Sequence, residues 1–312
     1  MHSRLDLRTA LLLAVPSLLW AGNAVLGRFA IRLVPPITLN FLRWAIALII
    51  LLPLAGWVVR KGSPLWVHWR RYALLGLLGV GCYSALLYLA LMTSTPMNVT
   101  LISTSTPICS LFVGACFFGQ RITARQLFGA GLSMLGVLVV ISHGDWRELA
   151  RLRLAPGDMF VLLSVVVWAF YGWLLVHARE PDLIRSDWAA FLLAQVLFGT
   201  GWASLFAAGE LAFTETHFDW DWPLVLVLVL GYVAVAPTIL AYRVWTLGVQ
   251  LVGPPVAGFF GNLTPLFAAV MSAAFLGEPP RAYHAYAFVL IVGGILTGSH
   301  AVLRPQATPA PR

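Results

Sequence analysis

Charged side chains are scarce in this chain. Only 10% of its 312 residues are Asp, Glu, Lys or Arg, while 60% are hydrophobic, and a soluble protein carries roughly 25% charge. Cysteine is scarce too. Cys82, Cys109 and Cys116 lie in apolar runs without a CxxC spacing, which excludes a disulfide scaffold and favours packing over metal binding. Gly and Pro follow no period, so collagen-like and disordered chains are also excluded.

Long apolar runs are what the sequence has instead. Ten segments separated by charged residues or by Pro and Gly each approach the roughly 20 residues that a helix needs to span a bilayer. They lie at 8–28, 36–59, 71–92, 96–118, 125–142, 157–178, 187–208, 223–247, 254–276 and 282–303. The first contains Pro16, Trp20 and Asn23 and is followed at once by another span, so we expect it to be retained rather than cleaved as a signal. These runs predict an all-α integral membrane protein with ten transmembrane helices.

The basic residues between the segments indicate an orientation, because short cytoplasmic loops collect Lys and Arg. Twelve lie on the side of the N-terminus and six on the other side, which also holds an acidic run at Glu210, Glu215, Asp219 and Asp221. The twelve are Arg4, Arg8, Arg60, Lys61, Arg70, Arg71, Arg121, Arg125, Arg179, Arg185, Arg304 and Arg312. We therefore predict a multi-pass protein of the cell inner (plasma) membrane with both termini cytoplasmic. The net charge of +8 is then a topology signal, and no nucleic-acid partner is expected.

An internal repeat divides the chain into two parts. A shift of 158 residues lays Thr106-Pro107 on Thr264-Pro265, and a shift of 148 lays Trp20 on Trp168. The predicted units are a first five-helix repeat at 1–143, a connecting loop at 144–156, a second five-helix repeat at 157–303 and a cytoplasmic tail at 304–312. Because five is odd, the second repeat must enter the membrane inverted. Inverted repeats are typical of transporters, in which the two parts present one central site to either face.

Particular segments carry a resemblance to a known family. Trp20-Ala-Gly-Asn23 and Trp168-Ala-Phe-Tyr171 begin the two repeats, and the proline-led runs 107–120 and 265–278 close them. With the five-plus-five plan, they resemble the drug/metabolite transporter (DMT) superfamily of the EamA type over nearly the whole chain. Within it the sequence is most similar to the YddG aromatic amino acid exporters. The resemblance implies export, although the first repeat has Gly119-Gln120 where the family usually has Gly-Glu.

Two prolines mark the depth at which transporters bind their cargo. Pro107 and Pro265 are repeat equivalents and fall near the middle of their spans, counting 1.5 Å of rise per residue. A proline inside a helix removes one backbone hydrogen bond, which would free the carbonyls of Ser103 and Gly261. The alternative is a packing kink whose carbonyls bond to neighbouring Ser or Thr side chains.

Polar and aromatic residues near these kinks are the candidate lining of a central cavity. We predict that a partly polar, partly aromatic solute binds to Trp20, Asn23, Tyr83, Ser103, Thr104, Trp168, Tyr171 and Asn262. Pairs of an aromatic and a polar group on one helix face suit such a cavity. The alternatives are Trp side chains that face lipid and Ser or Thr that join helices.

Aromatic residues nearer the membrane faces are candidate gates. Tyr88 is expected toward the outside, and Tyr242 with Trp245 toward the cytoplasm. Two charges, Arg43 and Arg243, also fall inside spans. Either could extend to its interface, and Arg43 could instead attract a substrate carboxylate.

The residues that the spans lack indicate the energy source of transport. No Asp or Glu lies in the middle of any span, although proton-driven pumps commonly use buried carboxylates, and no P-loop for ATP is present. We expect facilitated diffusion or exchange. A histidine relay through His177 or His284 is the alternative.

Together these features predict a secondary transporter that exports amino acids, aromatic or neutral, and related small metabolites by alternating access. The alternatives are a carrier of a nucleotide sugar or a cationic drug, and an intramembrane enzyme. Against an enzyme, the chain has no GxSG motif with a partner histidine, no HExxH and no DDxxD-like acid pair. The expected partners are the small-molecule substrate and membrane lipid. No cofactor or metal is expected, and a monomer suffices.

The charge distribution gives a topology prediction. Reporter fusions after residue 65 and at the C-terminus should report the cytoplasm, and a fusion near residue 215 should report the outside. A C-terminal fusion that reported the outside would contradict the ten-span topology.

Overall fold

The computed structural model describes residues 6–30, 34–150, 153–177, 179, 181–213, 224–276 and 281–299, and all regular structure in these ranges is helical. Ten long helical segments follow one another along the chain. They are α1 Leu7–Ala30, α2 Pro36–Val59, α3 Trp69–Ala90, α4 Met97–Phe118, α5 Ala124–Ile141, α6 Gly157–Val176, α7 Trp188–Phe213, α8 Leu224–Val252, α9 Pro254–Gly261 with Thr264–Leu276, and α10 Ala282–Ser299. Short helices occur at Pro64–Val67, Trp146–Ala150 and Asp182–Arg185.

Among the described residues, the nine segments α2 to α10 are long and apolar enough to cross a membrane. The prediction of an all-helical membrane protein is confirmed for these nine segments. The tenth segment, α1, has 24 residues but is not among the nine. The count of ten spans, arranged as two inverted repeats, therefore stays a prediction.

Helix ends follow local sequence signals. Thr123 and Gln126 form a capping box at the start of α5, in which each side chain bonds to the other residue's backbone N–H. Gly119 ends α4 with a φ of 66°, a left-handed conformation that costs glycine little. Pro36 and Pro254 occupy the first turns of α2 and α9, where a missing N–H leaves no hydrogen bond unmade.

Four long helices are irregular in their middle. Segment α3 contains a π-helical turn at Leu77–Cys82, and α8 contains one at Ala234–Leu240. Segment α4 is broken between Ser103 and Thr106, and α9 is broken between Gly261 and Thr264. The break in α9 therefore lies 158 residues after the break in α4, which is the offset that relates the two parts of the sequence. The π turn in α8 follows the π turn in α3 at nearly the same offset.

Polar side chains join helix ends on the face where α2 and α4 begin. The Glu210 carboxylate accepts hydrogen bonds from the backbone N–H groups of Ile37 and Thr38 at 3.0 and 2.7 Å. The Asp158 carboxylate accepts from the Asn98 amide at 2.9 Å, and also from Ser94. The Glu210 carboxylate thus satisfies N–H groups that the start of α2 leaves unpaired. We name this the far face, because α1 begins on the opposite one, the near face.

Two placements correct the expectations from the sequence. Glu210 was expected in a loop with the acidic run but lies in the last turn of α7, because that helix continues to Phe213. The rest of the acidic run and the tail 304–312 lie outside the described residues.

Small residues allow α5 and α10 to pack closely. A Cβ atom on Gly129 would lie 2.6 Å from the Gly294 carbonyl and 2.6 Å from the Gly298 nitrogen. A Cβ on Gly136 would lie 2.7 Å from Ile291. Since backbone cannot withdraw as a flexible side chain can, these glycines set the distance between the two helices.

We expect Gly129→Ala to lower the melting temperature of the detergent-purified protein, because the added methyl meets the α10 backbone, and overpacking of this kind costs about 1–3 kcal/mol. The control is Gly131→Ala on the same helix, where nothing lies within 4 Å of the new Cβ. That variant should gain up to about 1 kcal/mol of helix propensity. Equal melting temperatures for the two variants would mean that α5 and α10 are not in contact through Gly129.

Candidate substrate cavity

A cavity of about 780 Å³ lies among eight of the ten helical segments. Residues from α1 to α6, α8 and α9 line it, as do Thr95 and His143 at helix ends. Its volume is within the range of about 300–1,000 Å³ typical of small-molecule sites. Among the described residues that line it, there is no Asp or Glu.

The two broken helices contribute their breaks to the wall. Ser103, Thr104 and Thr106 line it from α4, and Asn262 and Pro265 line it from α9. Non-helical backbone at membrane depth is tolerated only where it is buried in protein or lines a polar cavity. The breaks therefore lie where the cavity can accommodate non-helical backbone.

The hydroxyl groups at the α4 break bond to the preceding turn. Thr104 and Thr106 donate to the carbonyls of Leu101 and Ser103, each at 2.6 Å. The expectation of a free Ser103 carbonyl is therefore wrong, because Thr106 replaces the donor that Pro107 lacks. At the α9 break, no side-chain donor reaches the Gly261 carbonyl among the described residues, and Gly261 lines the cavity.

The two prolines are placed differently. Pro265 lines the cavity, whereas Pro107 is buried beside α9 and does not. A Cβ on Gly258 would lie 3.4 Å from the Pro107 Cα. Both prolines lie in the first turn of the second helical piece, so the helix breaks just before them.

Five rings form an aromatic cluster in the wall: Trp20, Tyr83, Trp168, Tyr242 and Trp245. Trp168 is central, with ring centroids 4.4 Å from Tyr83, 5.8 Å from Trp20, 5.8 Å from Tyr242 and 5.5 Å from Trp245. All five were candidate residues, the first three for substrate binding and the last two for an inner gate. The structure brings them together.

Hydrogen bonds join this aromatic cluster to the two π turns. The Trp20 indole N–H donates to the Pro237 carbonyl of α8 at 3.1 Å, and the Tyr242 hydroxyl donates to the Gly79 carbonyl of α3 at 2.6 Å. A π turn disturbs the regular backbone bonding of a helix. Here its carbonyls accept from rings of the cavity wall.

Tyr171 is the predicted lining residue that the structure places elsewhere. It is 1% exposed and does not line the cavity. Its hydroxyl donates to the Gln195 side chain of α7 at 2.9 Å, and its ring lies 5.2 Å from that of Trp168. Tyr171 follows Trp168 by less than one helical turn, and the hydrogen bond to Gln195 holds it toward α7, which contributes nothing to the wall.

The other polar candidates do line the cavity. Asn262 is 3% exposed and donates to the Ser133 hydroxyl of α5 at 2.9 Å. Asn23 lines the wall from the same helix as Trp20. Ser103 and Thr104 complete the set.

Arg43 is a wall residue that the site prediction did not include, although its place inside a span singled it out. It is 6% exposed and does not extend to an interface. Its Nε donates to the Asn40 side chain at 3.1 Å, and one terminal nitrogen donates to the Ser84 hydroxyl at 2.5 Å. The guanidinium carbon lies 5.3 Å from the Trp44 ring centroid. The other intramembrane candidate, Arg243, is exposed over Trp188 and outside the cavity.

The cavity reaches the far face. Tyr88, Thr95, Met97 and His143 line it where α3 ends, α4 begins and α5 ends. Trp245, in the last third of α8, lines it on the side of the near face. Tyr88, the candidate outer gate, is thus nearer the far-face end than the aromatic cluster is.

Comparison with known proteins gives the family. The profile of the EamA-like transporter family matches residues 7–142 and 155–298. The chain belongs to this family. The expected resemblance to the EamA type is confirmed.

Several similar proteins are named as transporters or efflux pumps. An "uncharacterized transporter YyaM" of Bacillus subtilis (strain 168) is 26% identical over 84% of this chain and 82% of its own length. A "probable amino-acid metabolite efflux pump" of Escherichia coli (strain K12) is 27% identical over 78% of this chain and 77% of its length. Its counterpart in Salmonella typhimurium is 26% identical over 94% of both chains. A solved crystal structure shares the fold, with a TM-score of 0.73, 20% identity and coverage of 96% of this chain and 98% of the other.

The wall predicts a pattern of thiol reactivity. In a variant without the three native cysteines, Ser103→Cys should react with a membrane-impermeant thiol reagent, because Ser103 lines the cavity. Ser110→Cys, two turns later on α4, should not react in the folded protein, since Ser110 is 2% exposed and outside the cavity. Mass spectrometry of the labelled protein measures both. Equal labelling would contradict the described wall.

Proposed function

We propose that this chain exports amino acids, aromatic or neutral, and related small metabolites across the inner membrane by alternating access. Transport follows the gradient of the solute, by facilitated diffusion or exchange. Both termini lie in the cytoplasm, so the near face is the inner one and the described cavity opens outward.

The observation that carries this proposal is the composition of the cavity wall. Five rings adjoin a group of amides and hydroxyls that includes Asn23, Asn262 and Ser103. Aromatic walls favour flat or apolar parts of a solute through burial and offset or edge contacts. The amides and hydroxyls can bond to a polar head group. A solute with one aromatic side and one polar end matches both parts.

Alternating access is supported by the paired irregularities of the helices. Two breaks and two π turns recur at nearly the same offset as the sequence repeat, and the family profile matches the chain twice. In repeat-based carriers, one part rocks against the other around a fixed midplane site. We propose that 1–143 and 157–303 are these two parts.

The amino-acid cargo is supported by the names of two relatives as amino-acid metabolite efflux pumps. The narrower similarity to the YddG exporters stays a prediction. The two rival cargoes fit the wall less well. A cationic drug would have no carboxylate to bind, and a nucleotide sugar would bring a multiply charged diphosphate to a wall whose sole permanent cation among its lining residues is Arg43.

Transport into proteoliposomes tests the function. We expect uptake of radiolabelled phenylalanine, tryptophan or tyrosine without ATP and without an imposed pH difference. Unlabelled aromatic amino acids should compete better than lysine, glutamate or a nucleotide sugar, because the rings of the wall bind apolar surface. A nucleotide sugar that competed best would overturn the cargo, and strict dependence on a proton gradient would overturn the mechanism.

A pair of tryptophan variants adds a control to this assay. Trp168→Ala removes the central ring of the aromatic cluster, and we expect transport to fall about tenfold or more, since losing a buried aromatic contact costs on the order of 1–3 kcal/mol. Trp146→Ala changes a 55% exposed ring on a short helix outside the cavity and should transport normally. Size-exclusion chromatography should show equal amounts of folded protein.

A further inference from the structure

Among the described residues, the cavity wall contains one permanent charge and no carboxylate to balance it. Arg43 is the sole Arg or Lys among the lining residues, and the lining includes no carboxylate. Its side chain bonds only to the neutral groups of Asn40 and Ser84 within the described residues. A buried charge with neutral partners alone is unusual, because burial removes the hydration of the ion.

We propose that Arg43 binds the carboxylate of the transported solute, and that this carboxylate, rather than an ammonium group, is what the site requires. The inference deepens the proposed function, on which it rests for the site and its aromatic cargo. It adds that aromatic monocarboxylates without an amino group are ligands of the same cavity.

The hydrogen bonds of Arg43 leave donors for a ligand. Its Nε and one terminal nitrogen are used, and the second terminal nitrogen has no partner among the described residues. A guanidinium presents its N–H groups in a planar fork that matches the two oxygens of a carboxylate. Asn40 and Ser84 hold this fork in position from α2 and α3.

Neighbouring donors also lack acceptors within the described part of the chain. The indole N–H of Trp44, a buried residue whose ring centroid lies 5.3 Å from the Arg43 guanidinium carbon, has none, and neither does the amide nitrogen of Asn40. Buried N–H groups without acceptors are uncommon in folded proteins. The surroundings of Arg43 are therefore rich in donors, which suits an anionic oxygen.

The position of Arg43 joins the charge to the aromatic cluster. The guanidinium lies 5.3 Å from the Trp44 ring centroid, and that ring lies 5.0 Å from Tyr242. Ser84, which accepts from Arg43, follows Tyr83 in the chain. When the carboxylate of a solute binds to Arg43, an aromatic ring a few bonds away in the same solute thus lies beside the aromatic cluster.

An ammonium group has no comparable partner. The wall offers it amides, hydroxyls and the Gly261 carbonyl, which bind ammonium more weakly than a carboxylate does. A solute with only an ammonium group would also meet the like charge of Arg43.

Calorimetric binding to the detergent-purified wild-type protein tests this without any variant. The probes are phenylalanine, 3-phenylpropionate, which lacks the amino group, and phenethylamine, which lacks the carboxylate. We expect 3-phenylpropionate to bind within about tenfold of phenylalanine. Phenethylamine should bind about 30-fold more weakly or worse, the usual scale for losing one partner of a buried charge pair. Equal binding of phenethylamine and 3-phenylpropionate would overturn the proposal.

Variants separate a ligand contact from a structural brace. Arg43→Gln should lose the preference for 3-phenylpropionate over phenethylamine, and Arg43→Lys should retain part of it because the charge remains. Arg243→Gln is the matched control, since it removes an exposed intramembrane arginine outside the cavity, and should keep the wild-type preference. A brace alone would lower all affinities together and leave their ratio unchanged.

The outcomes also distinguish this inference from the proposed function. If Arg43→Gln does not fold, Arg43→Lys, which keeps the charge, should still prefer the carboxylate, and loss of the preference there would count against the proposal. Wild-type protein that binds 3-phenylpropionate but transports no amino acid would overturn the proposed cargo while retaining the Arg43 site. Wild-type protein that transports phenylalanine but binds phenethylamine as tightly as 3-phenylpropionate would overturn the Arg43 site while retaining the proposed cargo.

Discussion

The structure depends on one constraint of the bilayer, namely that every backbone N–H and C=O in the hydrocarbon must find its partner within the protein. Segments α3, α4, α8 and α9 each interrupt regular helical bonding in their middle. All four segments contribute residues to the wall of one cavity, and the breaks of α4 and α9 lie in that wall. The hydroxyl of Thr106 and the rings of Trp20 and Tyr242 then bond to carbonyls of the irregular turns.

The same constraint explains why the cavity is both polar and aromatic. Side chains that bond to displaced carbonyls need a donor, and those near the centre of a bilayer also need apolar surface. Trp and Tyr combine the two properties, and Ser and Thr are small enough to fold back on the preceding turn. Arg43 differs from these side chains, because within the described part of the chain it bonds to no backbone carbonyl.

Hydrophobic runs predicted most of the fold, because nine of the predicted segments are, among the described residues, helices long and apolar enough to span a membrane, with ends within about five residues of those expected. Repeat offsets and mid-span depth also predicted that Trp20, Asn23, Trp168 and Asn262 line a common space. What the sequence alone does not show is rotation about a helix axis. Tyr171 was assigned to the wall from its spacing to Trp168, but its orientation depends on Gln195, a partner on another helix. The sequence also did not reveal the π turns, since an extra residue in one turn leaves composition and periodicity almost unchanged.

The two hydrogen bonds between rings and π turns have a thermodynamic consequence. Trp20 links α1 to α8, and Tyr242 links α8 to α3, so separating these helices at mid-span breaks both. Each such bond contributes about 0.5–1.5 kcal/mol net. The contact among α1, α3 and α8 is thus stabilised in part by only a few kcal/mol, comparable with the differential affinity by which a small ligand shifts a two-state equilibrium. Under the alternating access proposed above, a solute bound among these rings can change the preferred state by its own binding energy.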